Sequence, residues 1–179
     1  RVGVGKTHLV RVIAGELGGR FTTILADANA MRHMIADLYA AADSFGPTLI
    51  VLDDIDLVLG HRDSNGDNAA LADFLATLDG VLEHEDILTI ATTNDPKALD
   101  PAAQRSARFD VVVTVPLPDE ASRATILRRH LEPLELRIDY DAVARGLEGA
   151  TGADVKEVVR RAILEHGERF TQEQLLQIA

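Results

Sequence analysis

The chain has no cysteine. Disulfides and thiolate-held metal sites are therefore excluded, and the sequence reads as that of an intracellular protein, with the cytoplasm as the expected location. Lysine is scarce too: Lys6, Lys97 and Lys156 stand against far more arginines. At a net charge of −11 there is no basic stripe of the kind that nucleic acid requires, so no nucleic-acid partner is expected. No run approaches the roughly 18 uninterrupted apolar residues of a membrane span. The first residues lack the pattern of a signal peptide, and there is no internal repeat or low-complexity tract. The six histidines form no metal pair at helical spacing, and nothing resembles a nucleophile–base triad. What is present is 179 residues, 46% of them hydrophobic, enough for one ordinary domain or a compact pair of subdomains.

Apolar periodicity starts at once. Leu9, Val10, Val12, Ile13 and Leu17 predict a helix that ends at Gly18-Gly19. Phe21 to Leu25 reads as a short strand. Ala30 to Phe45 reads as one helix with Met31, Met34, Ile35, Leu38 and Ala42 on one side, stopped by Gly46-Pro47. Thr48 to Leu52 is a continuous apolar run without alternation, the mark of a parallel strand buried on both faces. His61 to Asn68 is a loop by its turn chemistry, Ala69 to Leu78 a helix, Ile87 to Thr92 a strand, and Val111 to Val115 a fourth strand. Beyond Pro116-Leu117-Pro118 only helices are expected, over about 119–131, 139–146 and 152–167, with a last one from near Thr171. Strands alternating with helices predict an α/β fold, a mostly parallel sheet flanked by helices, followed by a small helical subdomain. The expected boundary separates residues 1–118 from 119–179.

Three stretches carry candidate chemistry. Gly3-Val4-Gly5-Lys6-Thr7 is the end of the phosphate-loop pattern G-x-x-x-x-G-K-[ST]. Glycine-rich backbone can surround phosphate oxygens, and the following helix presents its positive N-terminal end. In that reading Lys6 reaches the β- and γ-phosphates, the Thr7 hydroxyl completes a Mg²⁺ shell, and the loop contacts run on to His8. The bland alternative is a helix cap that contains Gly-Lys-Thr. In Thr48–Asp54 a buried strand delivers Asp53 to the carboxyl edge of the sheet, where α/β ligands bind. Asp53 would hold Mg²⁺ through its water shell, and Asp54 would orient or deprotonate an attacking water; the bland reading is two acids at a strand end. In the third stretch a buried strand ends near Asn94, whose amide could sit between the γ-phosphate and that water. Arg105 and Arg108 follow, as fingers supplied to a neighbour's site or as a solvated basic patch. Asp56 is expected to be a helix cap or a surface acid, and Asp119 an N-cap.

Together these residues resemble the AAA+ ATPases, and within them the AAA clade that holds the membrane-bound AAA proteases, the proteasomal ATPases and the valosin-containing protein. The resemblance covers essentially the whole chain. Gly3–Thr7 is similar to the Walker A end, Leu49–Asp54 to Walker B and Asn94 to sensor 1. The segment from Thr93 to Asp110 looks like the second region of homology, which makes Arg105 and Arg108 the implied arginine fingers. Val115 to His130 resembles the passage into the helical lid, with Ile126 and His130 implied on the adenine and ribose side. Gly152-Ala153-Asp154 matches the sensor 2 helix, and Leu75 to Gly80 resembles a helix end that signals between subunits, with Val81 in its aromatic place. The resemblance implies a P-loop NTPase core, ATP and Mg²⁺, and a homo-oligomeric ring, expected to be a hexamer, acting on a protein partner.

Departures from the pattern shape the functional expectation. The first Walker A glycine and the strand before it, which lies inside the family's sheet, are expected to precede Arg1 in the parent protein. The Walker B acid is Asp54 where the family usually has Glu, which predicts intact binding and slow hydrolysis. Residues Leu25 to Met34 occupy the place of a pore loop but offer no aromatic. Met31 and Met34 could grip polypeptide, although their helical spacing favours core packing. The second candidate pore loop, His61 to Asn68, has no aromatic either. Ala107 replaces a glycine in Arg105-Ser106-Ala107-Arg108, which makes Arg105 the safer finger. The expected activity is therefore ATP hydrolysis by a ring that remodels protein partners. The alternative is a nucleotide-gated assembly or regulatory module that threads no substrate.

Overall fold

A computed structural model describes residues 2–59, 76, 80, 86–95 and 109–178 of the chain. The chain separates into two compact units: Lys6–Val113, and Arg1–Gly5 together with Thr114–Ala179.

In the first unit three parallel strands, β1 (Thr22–Ala26), β2 (Thr48–Leu52) and β3 (Ile87–Ala91), lie in the order β1-β2-β3. The register pairs Ala26 with Leu52 and Leu52 with Ala91, so the three strands end together. Helix α1 (Lys6–Glu16) precedes β1; α2 (Ala28–His33) and α3 (Ile35–Ala42) separate β1 from β2. Every residue of β2 is buried, as its unbroken apolar run requires. Leu49 and Val51 pack on one face with Val10 of α1, while Ile50 and Leu52 pack on the other with Met31, Ile35 and Tyr39. This double cover brings the strand ends, and the residues just past them, to a fixed edge.

Two expectations change here. The single helix over 30–45 is two helices broken at Met34, whose backbone (φ −134°, ψ 12°) leaves the helical range. The break has no side-chain cap; at the other end of α2, Asp27 caps its start and accepts the Ala30 N–H at 2.8 Å. Met31 and Ile35, four apart, both lie in the core, while Met34 is half-exposed. Met31, wholly buried, belongs to the core rather than to a gripping surface. The second correction concerns Val111–Val115, which forms no strand. Val111, Val112 and Val113 are exposed, and the run pairs with none of the three described strands. Valine favours strands chiefly through packing against neighbours, so without a paired neighbour the preference has nothing to act on.

After β2 comes a short helix, α4 (Asp56–Leu59), that sequence periodicity does not reveal; the Arg32 guanidinium donates to the Leu57 carbonyl beside it. The expected helix over 69–78, the loop over 61–68 and the Leu75–Val81 segment fall outside the described residues or nearly so.

The second unit is helical: α5 (Glu120–Leu131) with a 3-10 turn (Glu132–Leu134), α6 (Tyr140–Gly146), α7 (Gly152–His166) and α8 (Gln172–Ile178). Asp119 does cap α5, accepting the Ser122 N–H at 2.8 Å. Leu127, Leu131, Val143, Val155 and Leu175 are fully buried in one core. Arg123 is buried with them but satisfied, donating to the Ala144 carbonyl at 3.0 Å and the Pro118 carbonyl at 2.8 Å. Among the described residues no helix is long and apolar enough to cross a membrane.

Candidate active site

The carboxyl edge of the sheet gathers the polar residues of three segments. Lys6 opens α1, Asp53 and Asp54 follow β2, and Thr92, Thr93 and Asn94 follow β3. The Lys6 ammonium donates to Asn94 Oδ1 at 2.5 Å, and Asn94 Nδ2 donates to Asp54 Oδ1 at 3.0 Å. One amide thus bridges the cation and the acid. Beside this chain, Thr7 Oγ1 donates to both oxygens of Asp53, at 3.3 and 3.2 Å. Five residues separated by up to 88 positions in sequence are therefore brought together at one edge.

The turn after β2 is unusual. Asp54 has φ +54°, in the left-handed region that non-glycine residues seldom occupy. Aspartate tolerates it better than most because its short side chain bonds locally. This conformation sends successive carboxylates different ways, Asp53 toward Thr7 and Asp54 toward Asn94.

Asp56 is neither a plain cap nor a surface acid. Its Oδ1 accepts the Asn94 N–H at 2.9 Å, so it fixes the backbone that carries the bridging amide. Partial burial raises its pKa, but hydrogen bonds from the Asn94 N–H, the Thr93 hydroxyl, its own backbone and the Asn94 amide outweigh that and lower it. The contact of Asp56 with Asn94 and the roles of the two threonines escaped sequence reasoning. A signal did exist: two hydroxyl residues directly after a buried strand, at the edge where such sheets bind ligands.

In the second unit, Gly3 has φ +81°, and a side chain there would also meet Thr151 Oγ1 at 2.8 Å and Ala153 Cβ at 2.9 Å. The Gly3 carbonyl accepts the Ala153 N–H at 3.1 Å, which gives one of the open donors at the start of α7 a partner. A Cβ on Gly152 would lie 3.4 Å from the Gly3 carbonyl and 3.7 Å from Ile126 Cδ1. Gly3, Ile126, Gly152 and Ala153 thus form one cluster, with His130 a turn beyond Ile126 on α5. Burial, then the nearby Lys156 and Arg129 charges, lower the His130 pKa, so its ring favours the neutral form. Gly5 has φ +107°; Val4 is half-buried and His8 exposed. Asp154, the last residue of the Gly-Ala-Asp, completes a capping box with Thr151. Arg105 and Arg108 lie outside the described residues.

Residues 1–117 match the family described as the ATPase family associated with various cellular activities (AAA). The chain belongs to the AAA family. It is 38% identical over 176 residues to an ATP-dependent zinc metalloprotease FtsH of Caulobacter vibrioides, covering 90% of this chain and 28% of that protein. Over 173 residues it is 38% identical to the mitochondrial inner membrane i-AAA protease supercomplex subunit YME1 of Saccharomyces cerevisiae, covering 89% and 23% respectively. An FtsH of Acidothermus cellulolyticus is 35% identical over 177 residues, covering 90% of this chain and 27% of that protein. The chain spans about a quarter of the length of these relatives. As an AAA ATPase domain it uses ATP and Mg²⁺. The donor set suits that ion: a hydroxyl and a carboxylate are hard oxygen ligands, and Mg²⁺ characteristically takes few protein oxygens alongside phosphates and water. Among the described residues no group of three or more His, Cys, Asp or Glu could hold a metal by itself.

Proposed function

We propose that the chain is the nucleotide-hydrolysing core of a ring, a hexamer in the closed arrangement, that remodels protein partners, with turnover limited by Asp54. The observation that carries this reading is the Lys6–Asn94–Asp54 chain beside the Thr7–Asp53 pair. Lys6 exchanges the Asn94 oxygen for the γ-phosphate, which frees that oxygen for the attacking water. The water oxygen bonds to the γ-phosphorus, the bond from phosphorus to the bridging oxygen breaks, and ADP leaves. Asp54 takes the water proton. When bound, Mg²⁺ offsets the phosphate charge, held by Thr7 directly and by Asp53 on its water shell. Asp54 is one methylene shorter than glutamate, so its carboxylate reaches about 1.5 Å less far. A misplacement of about 1 Å can cost about 10²-fold in rate.

Arg105 and Arg108 are proposed as fingers supplied in trans, which requires a head-to-tail interface that closes into a ring. Their value in this kind of chemistry is about 10³–10⁵ in rate. The zinc metalloprotease and i-AAA protease names of the relatives make protein the favoured class of partner. Asp54 also favours a second reading, a nucleotide-gated assembly module that hydrolyses slowly and switches contacts without threading. Steady-state ATP hydrolysis by the full-length protein over a dilution series separates the two. A ring with shared sites loses specific activity on dilution and loses it almost wholly with Lys6→Ala or Arg105→Ala. Tight ATP binding with no turnover at any concentration contradicts the motor and leaves the switch.

A further inference from the structure

The residue that the assigned roles leave unexplained is Thr92. It is 6% exposed, and a buried hydroxyl must be satisfied or it destabilises the fold. As a packing residue it could have been valine, which has the same shape without a polar atom. Instead every polar atom of Thr92 bonds to the turn after β2. Its N–H donates to the Leu52 carbonyl at 2.9 Å and its carbonyl accepts the Ile55 N–H at 2.9 Å, which pins the backbone on both sides of the two aspartates. Its hydroxyl then does two things at once. The single hydroxyl proton goes to Asp53 Oδ1 at 2.6 Å, a short bond of the charge-assisted kind. A lone pair accepts the Asp54 N–H at 2.9 Å.

From this geometry we infer that Thr92 is a positioning residue: its hydroxyl aims the Asp53 carboxylate at the metal side of the site and holds Asp54 in its left-handed turn. The inference rests on the reading of Asp53 as the carboxylate that serves Mg²⁺. Thr7 also donates to Asp53, but at 3.2 and 3.3 Å, and in that reading its hydroxyl turns to the ion when nucleotide binds. Thr92, walled in behind the carboxylate, keeps its bond in both conditions. A carboxylate with a fixed oxygen and a free one presents the free one in a single direction. Without the hydroxyl, Asp53 swings and the Asp54 N–H loses its acceptor, so ion affinity falls before nucleotide affinity does.

The test measures binding of a fluorescent ATP analogue to the full-length protein, once in EDTA and once across a Mg²⁺ titration. Loss of an outer-shell hydrogen-bond partner at a metal site typically weakens the metal by about 10–100-fold. Thr92→Val is expected to raise the Mg²⁺ concentration for half-maximal enhancement by about tenfold at least while leaving affinity in EDTA unchanged; Thr92→Ser, which keeps the hydroxyl, stays within about twofold of the unmodified protein. If Thr92→Val does not fold, Thr92→Ala reads the same quantity, and binding in EDTA reports that the protein is intact. Asp53→Asn is the control for the underlying reading. A Mg²⁺ response that Asp53→Asn abolishes and Thr92→Val leaves untouched overturns the role of Thr92 alone. A response that Asp53→Asn does not change overturns the assignment of Asp53, and the inference with it.

Discussion

At the scale of single residues, the site is a set of hydrogen bonds whose removal should separate binding from chemistry. Asn94 touches both Lys6 and Asp54, so Asn94→Ala removes the bridge while leaving the phosphate loop in place. Turnover should fall by about 10²–10³, the usual consequence of losing one preorganised donor, with ATP affinity changed far less. Steady-state kinetics with a parallel binding measurement checks the split. Asp54→Glu restores the missing methylene and should raise turnover or leave it similar; a large drop would show that aspartate in its left-handed turn is the tuned base. Asp56 adds a pH dependence. Because its folded pKa is lowered, its contribution is present above the ordinary carboxylate range and fades as pH falls through the depressed value. Urea unfolding should show the unmodified protein losing more stability on acidification than Asp56→Asn does.

At the scale of elements, some parts of the fold were plain in the sequence and others had no local signal. Strand β2 was legible because burial on both faces demands an unbroken apolar run, and Thr48 to Leu52 supplies one. Asp119 was legible because a cap uses only neighbours in sequence. The break at Met34 was not, since Met31, Ile35 and Ala42 fit the helical period equally well with or without it. Val111 to Val115 looked like a strand because composition carries strand preference, whereas a strand exists only where a partner stands beside it. The motif residues of the candidate site were readable, but the bonds of Thr92 and Asp56 span 38 or 39 positions, and sequence offered only the place of the hydroxyls after a buried strand, not their partners. Helix α7 carries a local prediction. Hydrogen bonds from Arg160 and Arg161 hold Glu157 far below its usual 4.5, at about 2. Its contribution is complete above about 4.5 and is lost as pH falls toward about 2. The group is partly exposed at the surface, so salt should erode the shift. An NMR titration of the carboxyl carbons should find Glu157 as the low outlier in dilute buffer and nearer the other glutamates at about 1 M salt, where the screening length is about 3 Å.

At the scale of the whole molecule, membership of the AAA family gives the use of ATP and Mg²⁺, and the side-chain chain Lys6–Asn94–Asp54 supports the proposal that these groups carry the hydrolysis. Assembly into a ring and action on protein partners extend that account beyond the described residues. Its central claim is that Asp54 serves chemistry and not binding. The most direct measurement is single-turnover phosphate release by the full-length protein, set beside ATP affinity in Mg²⁺, for the unmodified protein and Asp54→Ala. The account predicts similar affinities and phosphate release slowed by about 10²-fold or more in the variant, the range expected when a positioned base is removed. Equal release rates in the two proteins would contradict it.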